Sequence, residues 1–290
     1  MSLNLKSVYI CIPQQLRHLM KTTEEILEIN KRQKEFYNTD AVGKTNFVST
    51  LWSNFRNGAL SDFRKKFDIK DRVYGEHKIW LGDMSDKKIL DLGCLRGNAL
   101  SLYMAQNAKE YIGIDLSDVA IAELQKNIEK RDCKNAKAIA VDFFSPEFQQ
   151  TNFDIIYAYG VLHHFENFDL LVSRLQEKLN SNGIIISYDP LETSFPVKLL
   201  RSIYRPFQSD KDWEWPFTKS VLNKINNDFK IEEIRGVLGK SKYGVLINLL
   251  PLNTTYKSRV IAKMVEKDWN ITRLKDIYSC MHTTMLLRKL

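Results

Sequence analysis

The chain has 290 residues, 44% apolar and 27% charged, a globular composition that excludes disordered, collagen-like and coiled-coil classes. Its net charge of +8, from 43 Lys+Arg against 35 Asp+Glu, is scattered along the sequence, so charge alone does not point to nucleic acid. No apolar run reaches a membrane span, the N-terminus lacks the order of a signal peptide, and the cysteines (Cys11, Cys94, Cys133, Cys280) lie too far apart for a zinc site or a disulfide framework, so a reduced, cytoplasmic protein is expected.

The first 80 residues predict two helices, about 13–37 and 44–66, then a linker rich in Tyr, His and Trp. They read as a helical N-terminal cap (1–80) on a core that fills 81–290. From there strand-like and helix-like segments alternate, the mark of a parallel α/β sheet. Strands are expected at 88–92 (KILDL), 111–116 (YIGIDL), 136–141, 153–159 (FDIIYAY) and 183–188 (GIIISY). Helices lie between them, one capped by Ser117. After Asp189-Pro190 the rhythm breaks into a proline- and tryptophan-rich lid insertion at about 190–216 with a short helix near 197–204. Thr218 then caps a further helix, and 229–237 reads as a sixth strand. An apolar helical insertion spans about 240–270, and 278–288 reads as the last strand.

The most informative stretch is Ile89-Leu90-Asp91-Leu92-Gly93-Cys94-Leu95-Arg96-Gly97-Asn98. A strand entering a glycine turn and then a helix lets backbone N–H groups approach a ligand, at the carboxyl edge of the sheet. Asp115 ends the next strand, 22 residues after Gly93, where a carboxylate accepts from ribose hydroxyls. Asp142 and Phe143 follow the third strand, placing a carboxylate and a ring for a base. Together they specify a nucleoside-containing cofactor. The dinucleotide pattern G-x-G-x-x-G is absent, and Asp91 disfavours a polyanion and suits a ligand with a positive amino group.

Asp-x-Gly-x-x-x-Gly, then Asp115, Asp142 and a fourth strand ending Gly160-Val161-Leu162-His163-His164, resembles the class I S-adenosylmethionine-dependent methyltransferases, in particular those acting on small molecules. The resemblance covers residues 86–190 well, continues weakly to the C-terminus and barely touches 1–80. It implies a Rossmann-like, seven-stranded, largely parallel sheet with helices on both faces. It also implies S-adenosyl-L-methionine as cofactor and S-adenosyl-L-homocysteine as product. By that resemblance, Gly93 with its neighbours Asp91, Cys94 and Gly97 meets the methionine portion, and Asp115 binds ribose. Leu116 and Phe143 sandwich adenine, Asp142 faces its amino group, Tyr159 and Gly160 line the sulfonium side, and Tyr37 closes over the cofactor. The family usually has glycine where Leu95 stands, so Leu95 either narrows the pocket or marks a remodelled turn.

If the acceptor is a hydroxyl, a base must take its proton. His163 and His164 follow strand four and Asp189 ends strand five, on one carboxyl edge. Similar O-methyltransferases place a histidine and an acid there, so His163 is assigned as general base with Asp189 orienting it, and His164 as a further candidate. No metal is expected, since residues 157–160 offer no carboxylate for metal-assisted transfer. Acceptor-binding candidates are Trp52, Tyr74 and His77 in the cap and Tyr204, Trp213 and Trp215 in the lid, any of which could instead pin a loop or fill the core. The run 245–250 reads as a buried core helix, with a peripheral membrane or lipid contact as the alternative. The expectation is methylation of a small molecule at oxygen. Alternatives are N- or C-methylation, a lipid-like or glycan acceptor, or a non-catalytic cofactor-binding partner. Nucleic acid is not expected as a partner, and the oligomeric state is not indicated.

Overall fold

The computed structural model describes residues 23–38, 50, 54, 57–208 and 211–290. In chain order they form α1 (Thr23–Asn38), α2 (Ala59–Lys66), α3 (Ile69–Leu81), β1 (Lys88–Leu92), α4 (Ala99–Asn107), β2 (Glu110–Asp115), α5 (Asp118–Lys130), β3 (Ala136–Ala140) and β4 (Phe153–Tyr159). Then come α6 (Phe168–Lys178), β5 (Leu179–Pro190), α7 (Phe195–Tyr204), α8 (Lys219–Asp228), β6 (Phe229–Val237), α9 (Gly244–Asn248), α10 (Thr254–Trp269) and β7 (His282–Lys289).

The seven strands make one sheet in the order β3-β2-β1-β4-β5-β7-β6, parallel except for β7, which runs antiparallel to both neighbours. The expected Rossmann-like, largely parallel architecture is what the chain adopts. Both faces are covered, which is why the strands read as apolar runs. Leu90, Leu92, Ile112, Ile114, Ile156 and Ala158 face α6 and α8 on one side. Ile89, Tyr111, Ile155 and Tyr157 alternate to the other side, against α4 and α5. A third cluster joins α2, α3 and α10 to Tyr159 and Tyr188 near the carboxyl ends of β4 and β5.

Local chemistry fixes the helix starts. Asn98 Oδ1 accepts from the amides of Leu100 (2.8 Å) and Ser101 (3.1 Å), while Ser101 Oγ accepts from the Asn98 amide, a reciprocal capping box on α4. Ser117 and Thr218 cap α5 and α8 as their positions imply, accepting from the amides of Ala120 and Val221. Because β1 pairs with both β2 and β4, the strand order reverses beside it, and a crevice opens between the turns that follow β1 and β4.

Two expectations are corrected. The supposed linker after residue 66 is helix α3, whose buried stripe Ile69, Val73, His77 and Leu81 keeps a four-residue spacing. A histidine in the stripe and Gly75 on its flank hide that periodicity. The run 245–250 is not a core helix: α9 is only five residues long, and Leu246, Leu249 and Leu250 point outward, Leu249 being 79% exposed. Val245 and Ile247 alone pack against the third cluster. Among the described residues, no helix is long and apolar enough to cross a membrane.

Candidate functional site

A cavity of about 350 Å³ opens at the switch point, within the size range of small-ligand sites. The turn of residues 93–98 forms one wall, Asp115, Leu116 and residues 141–143 a second, and Tyr159, Gly160, Val161 and His164 a third. Gly93 has φ +66, and a Cβ there would meet Val161 Cγ2 at 2.3 Å, so backbone and β4 turn approach as only glycine permits. Leu95 lines the cavity and keeps a left-handed φ of +47, a region glycine adopts most easily, with 42% of its surface exposed. The turn is strained, by about 1–2 kcal/mol for a non-glycine residue.

Asp115 Oδ2 accepts from the Leu95 amide at 3.0 Å and Oδ1 from the Ser117 amide at 2.9 Å, so the carboxylate both holds the turn and faces the cavity. Burial raises its pKa, opposed by these amide bonds. Asp142 accepts from Asn30 Nδ2 and from the Phe144 amide, both at 2.8 Å, and burial raises it likewise. Each oxygen keeps a further lone pair for a ligand. Asn30 is one of three cavity residues on α1 that sequence reading missed or found only in part: Asn30, Gln33 and Tyr37 stand at i, i+3 and i+7, a polar stripe that is the available signal. Ser117 Oγ donates to Asn38 Oδ1 at 2.7 Å and fastens the end of α1 beside α5.

The assigned cofactor residues Tyr37, Gly93, Cys94, Gly97, Asp115, Leu116, Asp142, Phe143, Tyr159 and Gly160 all line this one cavity. Burial pushes the Cys94 thiol well up, so it is an apolar wall and not a nucleophile. Asp91 is corrected: it sits behind the turn, buried, with Oδ2 accepting from the Tyr111 hydroxyl at 2.8 Å. Burial raises its pKa to about 6, and it acts on the cavity only as background charge.

Past β4 the chain makes a short 3-10 turn, Leu162–His164. His163 Nδ1 lies 2.9 Å from Asp189 Oδ1, which also accepts from the His163 amide, and both side chains are buried. The Trp215 amide donates to the His163 carbonyl at 2.7 Å, tying the segment between α7 and α8 to this turn. A carboxylate on Nδ1 selects the tautomer that leaves Nε2 as acceptor. His164 lines the cavity, its ring 4.2 Å from that of His163. Its Nδ1 lies 2.6 Å from the Trp213 carbonyl, which can only accept, so Nδ1 carries the proton. Burial, then the neighbouring His163, lower the His164 pKa to about 3, keeping it neutral.

Of the acceptor-binding candidates, Tyr74 lines the cavity, edge-on to Tyr159 at 5.3 Å. His77 is corrected to a core residue: wholly buried, it bonds the Tyr157 hydroxyl (3.1 Å) and Thr284 Oγ1 (2.6 Å), and burial lowers its pKa to about 3. Trp213 and Trp215 serve the His turn through their backbones, and neither lines the cavity. Trp52 and the side chain of Tyr204 lie outside the described residues.

The two carboxylates, the aromatic walls and the glycine cradle fit a nucleoside bearing a positive pole better than a polyphosphate. The one arginine of the turn, Arg96, is drawn to Glu123 at 3.0 Å. Comparisons with known proteins agree. A family model described as a methyltransferase domain matches residues 83–231, which hold every strand from β1 to β5. An uncharacterized protein of Haemophilus influenzae is 34% identical over 111 residues, 37% of this chain and 43% of that protein. The (S)-coclaurine N-methyltransferase of Thalictrum flavum is 27% identical over 136 residues, 46% of this chain and 35% of that enzyme. The chain thus spans less than half the length of these curated relatives. In fold it is similar to the magnesium protoporphyrin IX methyltransferase of Synechocystis, solved with bound S-adenosylhomocysteine, at TM-score 0.51 and 16% identity over 90% of this chain and all of that one. The chain belongs to the methyltransferase-domain family and has the fold of the class I S-adenosylmethionine-dependent methyltransferases.

Proposed function

We propose that the protein transfers a methyl group from S-adenosylmethionine to a hydroxyl of a small molecule, with His163 as general base. The observation that carries this reading is the buried His163–Asp189 pair, 2.9 Å apart, placed beside the cavity by the ends of β4 and β5. Asp115 and Asp142 would hold ribose and adenine, Phe143 and Leu116 would flank the base, and Tyr159 and Gly160 would face the sulfonium. When bound, the cofactor supplies a methyl group already activated as a leaving sulfonium's substituent. What remains for the protein is alignment, exclusion of water and removal of the acceptor's proton. Asp189 fixes the proton of His163 on Nδ1, and Nε2 takes the acceptor's proton. His164, neutral and held by the Trp213 carbonyl, lines the cavity beside His163.

Release of S-adenosylhomocysteine, followed over a panel of phenols, alcohols, hydroxy acids and amines, tests this. His163→Ala is expected to lose about 100-fold or more in turnover, with S-adenosylhomocysteine affinity within twofold of wild type. Turnover that survives the substitution would remove His163 as base. The relative named as an N-methyltransferase makes nitrogen the second acceptor atom to consider, and turnover confined to the amines of the panel would establish it.

A further inference from the structure

We propose that the methyl acceptor carries an oxyanion, a carboxylate or a phosphate, held between Arg64 of α2 and Arg201 of α7. The inference rests on the methyl-transfer reading and names the class of its acceptor.

Tyr159, Tyr188 and His282 stack in sequence across the ends of β4, β5 and β7, with ring centroids 4.9 and 5.4 Å apart and planes nearly parallel. Helix α2 packs over this row through Leu60 and Phe63, in the cluster that also takes in Tyr159 and Tyr188. Its last turn carries Arg64, and the last turn of α7 carries Arg201. Both cations are felt at one place: burial first, then Arg64, Arg201 and His163, oppose protonation of His282. Arg64 acts in the same way on Tyr159 and Tyr188. The cap and the lid therefore bring two guanidinium groups, 137 residues apart in sequence, to the neighbourhood of the proposed base.

Three polar atoms there are shielded from solvent and have no hydrogen-bond partner: Arg64 Nε, Arg201 Nε and His282 Nδ1. Shielded polar atoms in folded proteins almost always find partners, so three orphans near the proposed base mark a place that a ligand completes. Among the described residues, neither guanidinium has an ion-pair partner, whereas Arg235 pairs with Glu76 at 2.8 Å and Arg288 with Glu232 at 2.7 Å. Two guanidinium groups without an ion-pair partner leave positive charge there to be answered. The planar forks of arginine match a carboxylate or a phosphate through paired hydrogen bonds. A cationic amine would be repelled. His163 lies within the same electrostatic reach, so an acceptor anchored by its anion presents a hydroxyl on the side of the base.

The test is calorimetric titration of the full-length chain with benzoate and with phenyl phosphate, with phenol as the uncharged control. Each titration is run with and without saturating S-adenosylhomocysteine. One of the two anions is expected to bind more tightly than phenol, and its identity separates carboxylate from phosphate. Arg64→Met and Arg201→Met, which keep much of the apolar stem, should each weaken that anion by about tenfold or more and leave S-adenosylhomocysteine binding unchanged. Arg201→Lys should lie between wild type and Arg201→Met. Anion binding no better than phenol, or equal in wild type and both methionine variants, overturns the proposal and leaves the methyl-transfer reading standing. Failure of the wild type to bind S-adenosylhomocysteine would instead sink that reading, while the titrations without it still read the arginine pair.

Discussion

The carboxyl edge of the sheet is built on two different rules. At the ends of β1, β2 and β3 the chain answers its own polar groups: Asp115 accepts from two backbone amides, Asp142 from Asn30 and Phe144, and Asn98 closes the capping box of α4. At the ends of β4, β5 and β7, Asp189 Oδ2, His282 Nδ1 and the two arginine Nε atoms stand without partners. A satisfied network is rigid and shaped in advance, which suits a cofactor that never varies. An unsatisfied one is completed by its ligand, which suits an acceptor particular to this chain.

The sharpest way to break the comparison is Asp189→Ala. Without the acceptor at Nδ1 nothing holds the proton of His163 there, so turnover should fall roughly 100-fold or more while S-adenosylhomocysteine binding holds. Steady-state rates beside a binding titration decide it, and unchanged turnover would dissolve the pair. On the cofactor side, Gly93→Ala forces a Cβ to within 2.3 Å of Val161 at a φ of +66, and a loss of about 2–4 kcal/mol is expected in urea unfolding. A loss below about 1 kcal/mol would mean the turn yields easily.

The buried histidines separate site from core by pH. His77 and His164 have pKa values lowered to about 3 by burial, against an ordinary 6.5. Between those values the unfolded chain binds protons that the folded chain refuses. Their contribution to stability is therefore complete above about pH 6.5 and is lost towards pH 3, by up to about 1.4 kcal/mol per pH unit for each. Asp91, raised to about 6, works the other way: its contribution is complete below its ordinary 3.8 and is lost as pH rises through 6. Asp115 and Asp142 are raised like Asp91 and His282 is lowered like His77, so one group is read by its own variant: between about pH 6.5 and 3, His77→Gln should remove part of the acid-side loss of stability without altering cofactor binding. A slope that His77→Gln leaves unchanged would take His77 out of the account. The smallest effect is expected of Leu95→Gly, a gain of about 1 kcal/mol or less by relief of the left-handed strain, read as a higher urea midpoint.

What sequence reading reached follows the same division. β1 and β4 begin and end where their mostly apolar runs do, because parallel strands covered on both faces are rich in apolar residues, and the edge strand β6 keeps the bounds read from its sequence. The cofactor half was legible as well: glycine turn, Asp115 and Asp142 sit at fixed offsets along a short stretch of chain. Asp91 was misread because a carboxylate's direction is not written in its position, and it turned back to Tyr111. The acceptor half was legible only where it touches a strand end, at His163 and Asp189. Arg64, Arg201 and His282 come from three distant segments. Their defining property, a shielded nitrogen without a hydrogen-bond partner, is a matter of the folded structure and not of any one segment's sequence.

The most direct test of the whole account is a calorimetric titration of the wild-type protein with S-adenosylhomocysteine, beside Asp115→Asn and with NAD as control. Binding in the micromolar range, absent with NAD and weakened about tenfold or more by Asp115→Asn, is the result the geometry requires. A folded wild-type protein that binds no S-adenosylhomocysteine, or a variant that binds it as well as wild type, would contradict the assignment of this cavity to the cofactor.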